Sequence, residues 1–519
     1  MDPLIVIVSN RGPFTFKEKA DGSFDVRRGS GGLVTALGGL AEHHDVLWVA
    51  AAMDQDDRRW TETAGDAARQ VDGVRVRLVL PEKQAYDRYY NVIANPLLWF
   101  LQHQLWDTPR APMINQSIWE AWEEGYKPIN RQFAQAVAET IAGTDRPVIV
   151  LPQDYHLYMF PRYLREMVGD RVRVQPFIHI PWPGPDAWRV LPPSMRTELL
   201  SSLLESDQIG FQTQKDAFNF VQTCRFYLPE AHSHGSRDTI HFQGRTVEAA
   251  AYPISIDVAQ VEDLAEEPQT HLLKSQLINF VGDRDLILRV DRIEPSKNIL
   301  RGLEAYRTLL ELYPEHRGQV QMLALLVPSR MEVDEYQDYL REIMAAAGMI
   351  NAAYSEAFWE PVRIVVGENY HRALAAMQLY DVLLVNSIAD GMNLVAKEGA
   401  LVNKKDGVIV LSEHVGAFYE MGEHTIPVSP FDIFGTTRAM HQALTMPADE
   451  RSDRAGALRE IVRGADVRRW FSDQVEEAIR ASTSQDKKDS TPETPEASKS
   501  AASSTALGVA ADTTPTPSA

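Results

Sequence analysis

Short, almost wholly apolar runs recur along the chain at positions 4–9, 46–51, 74–80, 148–151 and 172–178. A second series follows at 286–290, 320–327, 362–366, 382–385 and 408–411. Such runs predict strands covered on both faces, hence parallel sheets. Between them the apolar positions return every three or four residues, at 130–141 and 157–167, then at 299–312, 333–347, 372–379 and 394–402. That period predicts helices. Each α/β series is roughly 200 residues or more, longer than one usual core. The pattern therefore predicts two doubly wound α/β domains, 1–255 and 256–482, facing each other across a cleft. From about Thr483 the residues turn to Ser, Thr, Pro and Ala, with no aromatic. Such a segment cannot offset its ordering entropy. The stretch 483–519 is expected to be disordered and dispensable for stability and activity.

Charge changes this picture more than composition does. The 519 residues are 44% hydrophobic and 24% charged, ordinary globular usage. The formal charge of −20 argues against a nonspecific nucleic-acid or anionic-membrane binder, but allows a local basic pocket for a phosphorylated small molecule. A single cysteine, Cys224, excludes an intrachain disulfide or a thiolate cluster and suits a reducing compartment. The first residues lack a basic region followed by an apolar stretch, and no window offers ~18 consecutive apolar residues. The expectation is a cytoplasmic protein with neither nucleic acid nor membrane among its partners.

In doubly wound sheets, ligands gather at the carboxyl ends of strands. Several unusual motifs sit there. Ser9-Asn10-Arg11 follows the first run; Arg11 could reach an anion, or sit in a surface turn. Arg28-Gly29-Ser30-Gly31-Gly32-Leu33 opens a helical pattern, where backbone N–H groups and the helix dipole favour phosphate. It is not a dinucleotide fingerprint, because Val34 stands where the third glycine would be. Asp154 follows the run 148–151 and could bind a sugar hydroxyl, act as a base or cap a helix. His179 ends the run 172–178 and could donate to a substrate oxygen or be a satisfied core histidine.

The second series adds cations. Arg292 and Lys297 follow one strand candidate and suit a diphosphate, Arg as a planar fork and Lys as a point charge, or else form a surface ion pair with Asp291 or Glu294. Ser329-Arg330 repeats the theme after the next. The most specific stretch is Asp390-Gly391-Met392-Asn393-Leu394-Val395-Ala396-Lys397-Glu398. Gly391 permits a tight turn, Asn393 and Leu394 would offer free N–H groups at a helix start, and Glu398, one turn inside, could accept from a ribose diol. Metal candidates are weak: Asp54-Gln55-Asp56 reads as an acidic surface loop, and His232-Ser233-His234 lacks partners at metal spacing. The aromatics from Trp119 to Trp122 read as packing.

Together these motifs resemble the trehalose-6-phosphate synthases and their relatives among retaining, nucleotide-sugar-dependent glycosyltransferases, over about residues 3–480. The resemblance implies two facing Rossmann-like domains (a GT-B fold). It also implies transfer of glucose from a nucleotide-glucose, UDP-glucose by default, to glucose 6-phosphate. By the resemblance, His179, Arg292, Lys297 and Asp390 would serve the reacting centre. The donor would be held by Gly31, Gly32, Tyr370, Gly391, Met392, Asn393, Leu394, Val395 and Glu398. The acceptor side would use Arg11, Tyr90, Trp99, Asp154 and Arg330, most of them gripping a phosphate. The family's usual proposal is attack on the face the phosphate leaves, with the departing phosphate taking the acceptor's proton. No metal or other cofactor is implied. A homo-oligomer stays open.

The chain also departs from the family pattern. Gln153 replaces a usual His, Glu294-Pro295-Ser296-Lys297-Asn298 a usual Asp-Tyr-x-Lys-Gly, and Ala389 a usual Arg. Trp48-Val49-Ala50-Ala51-Ala52 lacks a usual second tryptophan, and Gly416-Ala417-Phe418 replaces Gly-Ala-Ala. GDP- or ADP-glucose therefore stays open as donor and glycerol 3-phosphate as acceptor. A non-catalytic, regulatory sugar-phosphate binder is the alternative from another class. A nicotinamide oxidoreductase lacks its fingerprint after either domain's first strand.

Overall fold

A computed structural model of the chain describes residues 2–29, 44–65, 67–233 and 238–489. The first half holds β1 (Leu4–Ser9), β2 (Phe14–Glu18), β3 (Phe24–Arg28), β4 (Asp45–Ala51), β5 (Arg69–Val71), β6 (Val74–Val79), β7 (Val148–Pro152) and β8 (Val172–Val174). It continues with β9 (Phe177–Ile178), β10 (Gln208–Phe211), β11 (Thr239–Phe242) and β12 (Arg245–Ala251). One sheet runs β5-β6-β4-β1-β7-β8 and a second β11-β12-β10-β9, while β2 and β3 form a separate hairpin. The second half holds β13 (Asp285–Arg292), β14 (Val320–Val327), β15 (Val362–Val366), β16 (Val382–Val385), β17 (Val408–Ser412) and β18 (Ile426–Val428). They form one sheet in the order β15-β14-β13-β16-β17-β18, parallel throughout.

The apolar runs explain why these strands are central. All six residues of β1 are buried, and it pairs in parallel with β4 and β7. In the six-stranded sheet of the second half Arg292 pairs with Val327, so the ends of β13 and β14 lie level. Two six-stranded sheets, parallel but for the antiparallel edge strand β5, give the facing α/β architecture expected from the pattern. Among the described residues, no helix is long and apolar enough to cross a membrane.

Two expectations need correction. The run 172–178 is not one strand. Gln175-Pro176 breaks it, because proline lacks the N–H a ladder needs. The Gln175 N–H returns to Val150 O of the first sheet at 2.8 Å, and Pro176 O accepts from Gly210 N of the second at 2.8 Å. The chain thus changes sheets just before His179. Order also does not stop near Thr483. The helix Val467–Asp489 carries on seven residues beyond Ser482, since 483–489 contain neither Pro nor Gly and extend a helix already docked. The rest of the tail lies outside the described residues.

That last helix crosses back to the first half. Trp470 is buried, meets Phe177 edge-on at 4.9 Å between ring centroids, and donates through Nε1 to Tyr252 O at 2.8 Å. Tyr252 OH in turn donates to Glu477. Trp470→Ala is expected to cost about 3–5 kcal/mol, the usual range for emptying a buried aromatic site. A melting temperature equal to that of wild type would contradict this anchoring.

Candidate active site

Both sheets direct their carboxyl edges into one cleft, and most of the residues singled out in the sequence meet there. Asp154, just past β7, adopts φ 73°, a left-handed backbone that strains a non-glycine residue. Its N–H donates to Phe177 O at 2.7 Å, and its Oδ1 accepts the His179 N–H at 3.2 Å. Burial pushes the Asp154 carboxyl up to about 7, against those hydrogen bonds and the nearby arginines. The His179 ring lies between Gln153 Oε1, 2.9 Å from Nε2, and Gln212 Nε2, 3.4 Å from Nδ1. Burial lowers it to about 4, so it stays neutral at physiological pH. Gln153 thus fills a concrete place: it fixes the histidine.

Across the cleft, the loop after β16 meets this histidine directly. A Cβ on Gly391 would collide with the His179 carbonyl oxygen, and one on Gly416 with the Gly391 carbonyl, so three backbones stack without side chains between them. Asp390 pairs with Lys297 Nζ and accepts from Asn393 Nδ2 at 3.0 Å. Burial would raise the Asp390 carboxyl, but Lys297 and Asn393 outweigh it and hold it below its ordinary value. Asn393 has φ 70° and caps the helix Leu394–Val402 by accepting from Ala396 N at 3.2 Å. The N–H groups of Leu394 and Val395 belong to the open first turn of that helix. Met392 is buried beneath the loop, its carbonyl accepting from Ala417 N at 2.8 Å. Farther along, Tyr370 OH donates to Glu398 Oε1 at 3.0 Å, and burial lifts the Glu398 carboxyl to about 7.

The arginines gather around Glu294, which the sequence offered only as a surface ion-pair partner. Glu294 is fully buried. Its Oε1 accepts from Arg330 Nη1 at 3.0 Å and Ser329 Oγ at 2.9 Å, and lies 3.3 Å from Arg292 Nε. Burial pushes its carboxyl up, but Arg292, Arg330, Lys297 and Ser329 together hold it at about 2. Arg330, with φ 47°, also donates to Tyr336 OH at 3.0 Å and to Tyr155 OH at 3.3 Å. Its guanidinium lies 4.0 Å over the Trp99 ring, with Arg292 5.9 Å from the same ring. Arg330 Nε and Trp99 Nε1 are buried without a hydrogen-bond partner among the described residues. Trp99 and Tyr155 belong to the first half, so this cluster joins the two halves.

Tyr90 and Trp99 both lie on an unusually wide, π-type helix, Arg88–Trp99, which contains Pro96. Tyr90 stacks between Tyr86 and His156, each at 5.8 Å. Arg11 stays exposed at the end of β1. Its neighbour Asn10 accepts from Tyr86 OH at 3.2 Å, which puts Arg11 on the Tyr90 side. Among the described contacts, none joins Arg11 to Arg330. Gly31 and Gly32 lie outside the described residues, as does His234. Asp54 is a helix cap, accepting from Asp57 N at 2.8 Å, and Trp122 packs on Tyr126 at 5.1 Å. Trp122 is packing, as expected; Asp54 is exposed, but the expected acidic loop is the start of the helix Gln55–Ala64. Tyr155 and Tyr336 were missed, and Glu294, expected at most in a surface ion pair with Arg292, makes that pair from a fully buried position.

A model of glycosyltransferase family 20 matches residues 3–480. The chain belongs to that family. An α,α-trehalose-phosphate synthase (UDP-forming) of Dictyostelium discoideum is 31% identical over 488 residues, 93% of this chain and 63% of that one. One from Aspergillus fumigatus is 31% identical over 484 residues, covering 92% of this chain and 90% of that one. The chain therefore spans about three fifths of the Dictyostelium relative and most of the Aspergillus one. Among solved structures, one from E. coli with UDP-2-fluoro glucose bound superposes with a TM-score of 0.80 at 26% identity, covering 92% of this chain and 98% of that one. A UDP-forming α,α-trehalose-phosphate synthase from Burkholderia xenovorans in complex with glucose-6-phosphate gives 0.78 at 26% identity, with 92% and 99% covered. The family 20 fold, two Rossmann-like halves in the GT-B arrangement, is the fold of this chain.

Proposed function

We propose that this family 20 protein is a retaining glucosyltransferase that moves glucose from UDP-glucose to glucose 6-phosphate, giving trehalose 6-phosphate. The observation that carries the reading is the meeting of Lys297, Asp390 and the Gly391 loop with His179 across the cleft. It is supported by relatives solved with a UDP-sugar analogue and with glucose-6-phosphate. The division into units 1–255 and 256–482 goes with this reading, the donor belonging to the second unit.

The chemistry follows from the charges. The bond from glucose C1 to the diphosphate oxygen breaks, and a bond from C1 to the acceptor hydroxyl oxygen forms. The diphosphate gains negative charge as it leaves. Lys297, Arg292 and the helix start at Leu394 stand ready to stabilise it without reorganising. Neutral His179, its ring held by Gln153 and Gln212, lies against the transferred glucose, and Asp390, kept ionised by Lys297, accepts from its hydroxyls. The acceptor's proton passes to the departing phosphate oxygen, so the leaving group is UDP carrying that proton. Trp99, Tyr90, Arg11 and Arg330 bind the acceptor, with Asp154 on its sugar. Gly31 and Gly32 belong by resemblance to the donor side.

Glu398 makes donor binding depend on pH. Its carboxylate is the form that accepts from the ribose hydroxyls, and with a pKa of about 7 it protonates as pH falls below neutrality. The KM for UDP-glucose is expected to rise by up to about tenfold between pH 8 and pH 6, one unit below the pKa. Glu398→Gln should flatten that dependence. In the free protein the sign reverses. The folded pKa exceeds the ordinary carboxyl value of 4.5, so this group's contribution to stability is lost as pH rises from about 4.5 to 7.

The reading is tested by offering UDP-, GDP- and ADP-glucose against glucose 6-phosphate, glucose and glycerol 3-phosphate. UDP-glucose with glucose 6-phosphate is expected to turn over fastest, and free glucose poorly, since it cannot engage the arginines. Preference for glycerol 3-phosphate would reassign the acceptor. Turnover with no pair would leave a regulatory binder.

A further inference from the structure

Far from the cleft, the short turn Pro314–His316 and the helix Ile433–Thr445 bring two imidazoles together. His316 Nε2 and His441 Nδ1 are 3.0 Å apart. Glu315 adds a carboxylate, and one ligand atom from each of the three residues lies within 4.8 Å of the others. We propose that Glu315, His316 and His441 form a binding site for a divalent transition-metal ion of the zinc type.

Geometry is the first support. Two Zn–N bonds of ~2.0–2.1 Å at a tetrahedral angle separate the nitrogens by roughly 3.3 Å. The observed spacing needs only a few tenths of an ångström of opening. Glu315 is exposed, so its carboxylate can swing to complete three protein ligands. Donor chemistry is the second support. Two imidazoles and one carboxylate suit zinc, nickel, cobalt or copper, whereas Mg²⁺ and Ca²⁺ favour all-oxygen sets.

Preorganisation is the third. His316 is buried in the turn, and Tyr313 stacks on the His441 ring at 3.8 Å with the planes 7° apart. The ring that would be hardest to turn is thus already aimed. Without metal, one facing nitrogen donates to the other. Binding requires that N–H to move to the remote nitrogen of its own ring, so no net proton is released.

This site takes no part in glucosyl transfer. His316 precedes the amino end of β14, and Arg330 follows its carboxyl end. Eight strand residues at ~3.3 Å each put them about 26 Å apart. The ion would clamp the turn to a helix 125 residues later in the chain. Its effect should therefore be on stability.

The test titrates chelator-treated full-length protein with ZnCl₂ by calorimetry and with CoCl₂ by visible absorption. Wild type should bind one Zn²⁺ per chain that His441→Ala loses, with affinity weakened at least tenfold. The bound Co²⁺ spectrum should be that of a four- or five-coordinate ion and should vanish in the same variant. Saturating Zn²⁺ should raise the wild-type melting temperature by a few degrees and leave His441→Ala unmoved. Glu315→Ala, an exposed change that spares the core, should weaken Zn²⁺ several-fold; MgCl₂ should shift nothing. Equal Zn²⁺ binding by wild type and both variants, or no binding at 100-micromolar metal, would overturn the site.

Discussion

Lys297→Ala is expected to lower kcat by about a hundredfold or more with a smaller change in either KM. Lys297 has two jobs in one place. It holds Asp390 ionised inside the cleft, and in the proposed reaction it faces the diphosphate as that gains charge. A donor that matters most in the transition state lowers kcat rather than raising KM when it is lost. Loss of one such preorganised donor typically costs ~3 kcal/mol of barrier. Removing the ammonium also leaves the buried Asp390 carboxylate unpaired, so its pKa must rise and its hydroxyl-accepting form become scarcer at neutral pH. Steady-state kinetics with both substrates varied decide the matter. Unchanged turnover would remove Lys297 from the mechanism. Arg292 is half-exposed and only one of several partners of Glu294, so Arg292→Ala should fall in the same direction by about as much through loss of diphosphate stabilisation alone.

Arg330→Ala carries the second large effect, and it splits into two. Charge-assisted hydrogen bonds to a phosphate contribute ~1.5–3 kcal/mol each, so the acceptor KM should rise roughly ten- to a hundredfold. The donor KM should change little. Stability should also fall, by up to about 3–5 kcal/mol, because Glu294 loses one of the cations that offset its burial, the one hydrogen-bonded to Oε1 at 3.0 Å. The two losses can be separated. Glu294→Gln in the Arg330→Ala background removes the stranded charge and should restore much of the melting temperature while leaving the acceptor KM high. Recovery of both together would mean that Arg330 acts only as a structural ion pair. An unchanged acceptor KM in the single variant would move the phosphate site elsewhere.

The strands that build the cleft were legible because burial on both faces leaves an apolar run that little else produces. The runs 320–327, 362–366 and 382–385 coincide with β14, β15 and β16. The hairpin of β2 and β3 was not legible; its strands alternate over only five residues each, too short to stand out. The break at Gln175-Pro176 was visible as a proline, but not that the chain changes sheets there. At the site, the cations and the Asp390 loop could be read because each follows a strand within a few residues. Their partnerships could not. Tyr155 meets Arg330 across 175 residues, and Lys297 meets Asp390 across 93. A buried glutamate that collects two arginines looks, in sequence, like any acidic residue after a strand. Local pattern fixes where side chains leave the sheet; only the packing of the two halves says which of them touch.

The central claim is glucosyl transfer with retention onto the anomeric hydroxyl of glucose 6-phosphate. The measurement that tests it most directly is ¹³C NMR of the full-length protein with UDP-glucose labelled at glucose C1 and unlabelled glucose 6-phosphate. The account predicts loss of the UDP-glucose signal, release of UDP and one new α-anomeric signal, that of the 1,1-linked disaccharide phosphate. A β-anomeric product, free labelled glucose alone, or an unchanged spectrum would contradict it.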